Sequence, residues 1–211
     1  MTKAPVARRR DREATRSRLL AAAIDEFARH GLNGARGERI AEQADSSERM
    51  LYYYFGSKEG VFRAALEAVY ADLRDAERGL ALDQMPPMEA LDHFSRFVWR
   101  YYAEHPEFIS LLNTENLHRG RHLRDSAHVS ELVSPVIGML ADLLNRGATA
   151  GVFRDGLNPQ TIYLAIASLG YFVLSNRHTL SAVLGHEISA CQQLEAHWLE
   201  CARIIQRYVA P

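Results

Sequence analysis

Three residues, Asp45-Ser46-Ser47, separate two short stretches of helical apolar period, and this junction constrains the fold more than any other part of the chain. Ahead of it, Ile40, Ala41 and Ala44 recur at the i, i+1, i+4 spacing of one buried helix face. The two alanines are small enough for another helix to cross closely. Asp tolerates a left-handed turn conformation and Ser is a favourable N-cap, so the chain turns at 45–46 and a second helix begins at Ser47. That helix runs to about Tyr54, with Leu51 and Phe55 facing inward and Glu48, Arg49, Met50, Tyr52 and Tyr53 spread over the outer arc. Two helices joined by so short a turn, the second presenting hydrogen-bonding groups, form the helix-turn-helix that enters a DNA major groove.

Charge supports a polyanion at this end. The net charge of the 211 residues is only −1, but residues 1–60 hold 12 Lys+Arg against 9 Asp+Glu, and residues 1–18 hold 7 against 2. Basic side chains displace condensed counterions from phosphates. Residues 1–14, with Pro5 and no apolar period, read as a flexible basic arm for phosphates or an adjacent minor groove. From Thr15 an amphipathic helix runs to Gly31, placed as its left-handed C-cap. Gly56-Ser57-Lys58-Glu59 opens the next helix with Ser57 as N-cap; its N–H groups and Lys58 form an anion site.

The run L-Y-Y-Y-F-G-S-K-E at 51–59, with F-A-R-H-G at 27–31 and I-A-E-Q-A at 40–44, resembles the DNA-binding domain of the tetracycline-repressor (TetR) family from about Thr15 to Val69. The resemblance implies a dimeric DNA-binding regulator, usually a repressor released from a palindromic operator by a small-molecule effector. It assigns Tyr52 and Tyr54 chiefly to phosphates. Arg49 suits a guanine, Met50 and Tyr53 suit thymine methyls, and Arg36 and Lys58 suit phosphates at the two edges, within a contact set that includes Ser47 and Glu48. Core packing is the competing reading for each tyrosine, most closely for Tyr54. The sequence departs from the family at Asp45-Ser46, where Gly-Val is usual, and at Gly37 within a helix start. Each departure predicts a loss of about 1 kcal/mol and a looser head.

The rest reads as helical throughout. Helices are predicted from Pro86-Pro87 to an end at His105-Pro106, from Pro106 to about Leu117, from about His128 to Thr149, from Asn158-Pro159 through a region closed by Gly185, and from about Ile188 to Val209, with 118–126 irregular. The fold class is therefore all-α, with a basic arm (1–14), a helix-turn-helix domain (15–73) and a helical effector-binding and dimerisation domain (74–211). A small-molecule pocket in that last domain would draw polar groups from Trp99, Tyr102, Asn113, Asn116, Ser168, Tyr171 and Asn176, although packed core residues are the commoner role for such side chains. The expected partners are operator DNA, a second copy of the chain and an effector.

Other classes are weaker. His118 and His122, with Asp125 and His128 nearby, suggest a metal-responsive regulator, against which Gly120 and flanking arginines favour a solvated loop. No phosphate-loop, nucleophile-elbow or dinucleotide glycine pattern is present, so no enzyme and no cofactor is expected. A helical interaction module without specific DNA binding would explain the body but not residues 36–58. Cys191 and Cys201, roughly 15 Å apart on one helix, read as reduced buried thiols. The absence of a leader and of an apolar run near 20 residues predicts a cytoplasmic protein with no membrane partner.

Overall fold

The computed structural model describes residues 4–124, 126–188 and 191–211, with the side chains of 4–9, 127–134 and 191–192 excepted. Every regular element among them is helical. The chain forms α1 (Ala4–Gly34), α2 (Gly37–Gln43), α3 (Glu48–Phe55), α4 (Lys58–Arg78), a 3-10 turn at Leu82–Gln84, α5 (Pro87–Glu104) and α6 (Pro106–Leu117). It continues through α7 (Arg121–Arg124), α8 (Ala127–Thr149), α9 (Pro159–Ser175), α10 (Arg177–Leu184) and α11 (Cys191–Val209). None of these helices is long and apolar enough to cross a membrane.

Two compact units result: one comprises Met1–Tyr70 and Pro106–Val129, the other Ala71–His105 and Ser130–Pro211. This differs from the sequential boundary expected at 73/74. The cause is α6, which lies along α1 and buries Phe108, Ile109 and Leu111 in the first unit. Phe108 meets Tyr70 edge-on at 5.4 Å, and Phe27 meets Phe62 in the same way at 5.1 Å. Residues 4–14, expected as a basic arm, form the first turns of α1. Pro5 is no obstacle there, because N–H groups in the first helical turn make no intrahelical bond for proline to remove, and Ala, Arg and Glu all favour helix. Gly31 breaks the helix as expected, with φ 62, and a further turn reaches Gly34.

The second unit packs α5 against α9 and α11. Its centre is Trp99, fully buried, whose Nε1 donates to the carbonyl of Ile166 at 2.7 Å. Gly170 lets the indole approach: a Cβ there would stand 3.1 Å from Trp99 Cγ. Asn158 caps α9 by accepting from Thr161 N at 3.0 Å, and Gly185, with φ 73, ends α10. Cys201 is buried, and burial pushes its thiol pKa up; the side chain of Cys191 lies outside the described residues.

Candidate nucleic-acid interface and ligand cavity

A seven-residue α2 is too short to hold itself together in water; α1 grips it at both ends. Buried Glu26 accepts from the backbone N–H of Arg36 at 2.9 Å and from Arg39 Nε at 2.8 Å, satisfying the N-terminus of α2. At the other end Arg18 Nε donates to the carbonyl of Ala44 at 3.2 Å, where a cation also suits the helix dipole. Ile40 and Ala41 face inward. Asp45 takes the left-handed turn with φ 48, and Ser47 Oγ accepts from Met50 N at 3.3 Å. Leu51 anchors α3 in the core.

The outer arc of α3 is as predicted for Arg49 and Tyr53, which are exposed, and Ser47 and Arg36 are exposed beside them. Glu48, Met50, Tyr52, Tyr54 and Lys58 are half-buried. Phe55, expected to face inward, is also only half-buried. Tyr53 and Tyr54 meet edge-on at 5.3 Å. Lys58 Nζ reaches the carbonyl of Asn33 at 3.4 Å. Burial, and then the Glu48 carboxylate, push the Tyr52 phenol pKa up, so its hydroxyl stays a donor.

Gly37 has a positive reason to be glycine. A Cβ there would lie 2.8 Å from Tyr52 Oη and would also run into the Glu48 carboxylate. What reads in sequence as a weak helix start is a close approach of α2 to α3.

Two further residues join this face. Arg12 donates to Tyr53 Oη, with its guanidinium carbon 5.8 Å from the ring centre, and Arg16 lies 5.1 Å from the Phe55 ring centre. Their i, i+4 spacing would have placed both on one side of a helix, had the arm been read as helical.

The predicted pocket residues are divided between the two units. Asn113 and Asn116 lie on α6 in the first unit. In the second unit Trp99 is core, Tyr102 is buried against Tyr171, Ser168 is exposed and bonds the carbonyl of Leu164, and Asn176 bonds the carbonyl of Phe172. The second unit also holds a cavity of about 160 Å³, lined by Arg74, Glu77, Arg78, Pro135, Val136 and Met139.

Arg74 and Glu77 are each 2 % exposed. Arg74 Nη2 donates to Tyr163 Oη at 2.8 Å, and its Nη1 stands 2.6 Å from Glu77 Oε2 but off the hydrogen-bonding angle. Among the described residues, Arg74 Nε and both carboxylate oxygens of Glu77 therefore have no aligned partner. Burial raises the Glu77 carboxyl pKa to about 7 against the opposing pull of Arg74. These charges continue the inward stripe of Leu66, Tyr70 and Leu73, and that continuation was the legible signal. Buried polar groups left unpaired beside a cavity point to an occupant.

Each of the two histidines of 118–122 has its Nδ1 engaged within the protein. His118 Nδ1 lies 2.8 Å from the carbonyl of Thr114, and His122 Nδ1 lies 2.6 Å from Glu115 Oε2. Among the described residues no group of three metal-ligating side chains occurs; Asp125 and the side chain of His128 lie outside them.

Residues 19–65 match the family model for bacterial regulatory proteins of the tetR family, and residues 87–204 match the tetracyclin repressor-like C-terminal domain. The chain is 44% identical over 187 residues to the HTH-type transcriptional repressor NicS of Pseudomonas putida, covering 89% of this chain and 88% of that one. It is 31% identical to the HTH-type transcriptional repressor SCO4008 of Streptomyces coelicolor, over 78% of this chain and 81% of that one. Among solved structures, a TetR-family regulator from Mesorhizobium loti superposes with a TM-score of 0.73 at 15% identity, over 95% of this chain and 98% of that one, a likeness of fold.

Proposed function

The chain belongs to the tetracycline-repressor family of DNA-binding transcriptional regulators, and from that premise we propose that it represses transcription as a homodimer until a small molecule enters the Arg74–Glu77 cavity. The observation that carries the DNA reading is the exposed pair Arg49 and Tyr53 on an α3 whose partner helix α2 is held at both ends by α1. Arg49 reads a guanine edge, while Met50 and Tyr53 lie on thymine methyls. Tyr52, Tyr54, Arg36 and Lys58 take phosphates, joined by Arg12 and Arg16.

Leu164 and Phe172 of α9 and Ile204 and Tyr208 of α11 stand exposed, and a second copy of the chain covers them. Two recognition helices then meet two half-sites of a palindrome. The effector supplies partners to Arg74 Nε and to Glu77, and it shifts the protein from its operator only by binding the released state more tightly. These events take place in the cytoplasm, where the DNA is. Footprinting on DNA upstream of the protein's own gene tests the reading. A protected palindrome supports it; uniform cleavage along the fragment at low salt refutes it.

A further inference from the structure

We propose that the pocket formed by the start of α4 and by α7, all within the first unit, binds a phosphate-class oxyanion. The pocket measures about 570 Å³, and its polar lining is Ser57, Glu59, Arg63, Arg121 and His122. His122 is 5 % exposed. Glu115 fixes it from behind, accepting the backbone N–H groups of His122 at 2.7 Å and Leu123 at 3.0 Å, with the ring Nδ1 at 2.6 Å. A carboxylate only accepts, so Nδ1 carries the hydrogen. The opposite ring nitrogen, Nε2, is buried with no hydrogen-bond partner among the described residues. This arrangement holds one nitrogen rigidly and leaves the other unpartnered among the described residues, on a side chain that lines the pocket.

The surrounding chemistry selects the ligand. Arg63 and Arg121 are exposed guanidinium groups, and Glu59 is the carboxylate that lines the pocket with them. The first N–H groups of α4 have no intrahelical acceptor and favour negative charge, and Ser57 Oγ is already engaged by Gly60 N at 3.1 Å. A cation does not fit, because both oxygens of Glu115 are occupied and the arginines repel it. A phosphate group fits on two counts. Its charged oxygens suit the guanidinium groups. Its P–OH, where it has one, donates to a neutral Nε2, and a protonated Nε2 donates to an unprotonated oxygen. Sulfate offers no donor, so phosphate is favoured over it. The phosphate can be a free anion or monoester, or a phosphate of the bound DNA; only the latter rests on the regulator reading.

Calorimetric titration of inorganic phosphate into the full-length protein, in chloride of matched ionic strength and without DNA, tests the first source. Saturable binding in the wild type, weakened about tenfold in Arg121→Gln and Arg63→Gln, and weaker for sulfate than for phosphate, assigns a free-anion site. Both arginines are exposed, so these variants keep the fold, which circular dichroism checks; His122→Gln is the third arm. If free phosphate does not bind, but the slope of log affinity against log salt on operator DNA falls by about 1 in Arg121→Gln, the site holds a DNA phosphate. No phosphate binding and unchanged salt slopes, or equal phosphate binding in wild type and both arginine variants, overturns the proposal. Loss of DNA binding altogether would undo the regulator reading and leave the free-anion titration readable.

Discussion

Arg18 and Glu26 stand eight residues apart on α1, about 12 Å along its axis, and they hold opposite ends of α2. Arg18 donates to the carbonyl of Ala44, the C-cap, and Glu26 accepts from Arg36 N at the N-cap. The separation matches the roughly 10 Å length of a seven-residue helix. The placement of α2, and of the α3 that follows it, is thereby fixed by two polar contacts as well as by the apolar crossing of Ile40 and Ala41.

Removing the Glu26 charge therefore loosens the head. Glu26→Gln keeps the shape but loses the charged acceptor of Arg39 and Arg36, and a loss of about 2 kcal/mol is expected in urea unfolding. Burial raises the Glu26 carboxyl pKa, but the bonds from Arg39 and from Arg36 N outweigh it and hold it below the usual carboxylate range. A depressed carboxyl stabilises the fold above its unfolded pKa, about 4.3, and that stability is lost as pH falls through the folded value. Wild type should lose stability below about pH 4.3 more steeply than Glu26→Gln.

Glu77 behaves in the opposite sense. Its folded pKa, about 7, lies above the unfolded value, so its contribution is full at acid pH and is lost as pH rises through about 7. Glu77→Gln does not titrate. Its stability relative to wild type should improve between pH 5 and pH 8, by up to about 3 kcal/mol at about 1.4 kcal/mol per pKa unit. A constant difference across that range would mean that the carboxyl is not desolvated.

Gly37→Ala separates helix propensity from fit. Alanine is favoured over glycine in a helix by about 1 kcal/mol, but the new Cβ meets Tyr52 Oη and the Glu48 carboxylate. Glu48 swings away cheaply because its far end is flexible, whereas the Tyr52 ring must shift as a body. Thermal stability should change little, while operator affinity falls about tenfold; an unchanged affinity would dissociate Tyr52 placement from DNA binding.

Arg12→Ala removes the donor to Tyr53 Oη and one exposed cation. The fold should be untouched, and the salt slope of operator binding should fall by about 1. Tyr53→Phe should keep the slope and lose the tether alone, which separates a phosphate contact from a positioning role.

The parts that reading the sequence located are those set by neighbours in sequence. Ser47 and Ser57 cap α3 and α4 through residues three positions on, and Asp45 turns the chain by its own conformation. The parts that escaped depend on distant partners. Gly37 looks like a weak start until Tyr52 is brought over it, 15 positions later. Pro5 and the charges of 4–14 are compatible with a coil and with a first helical turn, and only the continuous α1 decides. The assignment of α6 to the first unit follows from Phe108, Ile109 and Leu111 facing α1, which no local pattern announces. Trp99 and Tyr102 have the polarity of ligand groups but spend it on the core, while Arg74 and Glu77 look like surface charges and are not.

The most direct measurement is fluorescence anisotropy of the protein on its upstream DNA and on a scrambled duplex of equal composition, with wild type and Arg49→Ala compared across salt concentrations. Tighter binding to the upstream DNA is predicted for the wild type, at least a hundredfold at moderate salt by the order of magnitude of specific recognition, roughly 10³ or more. Arg49→Ala should lose much of that discrimination, by about 1–3 kcal/mol, while keeping its affinity for the scrambled duplex. Equal affinity of the wild type for both duplexes at every salt concentration would contradict the assignment of α3 as a base-reading helix.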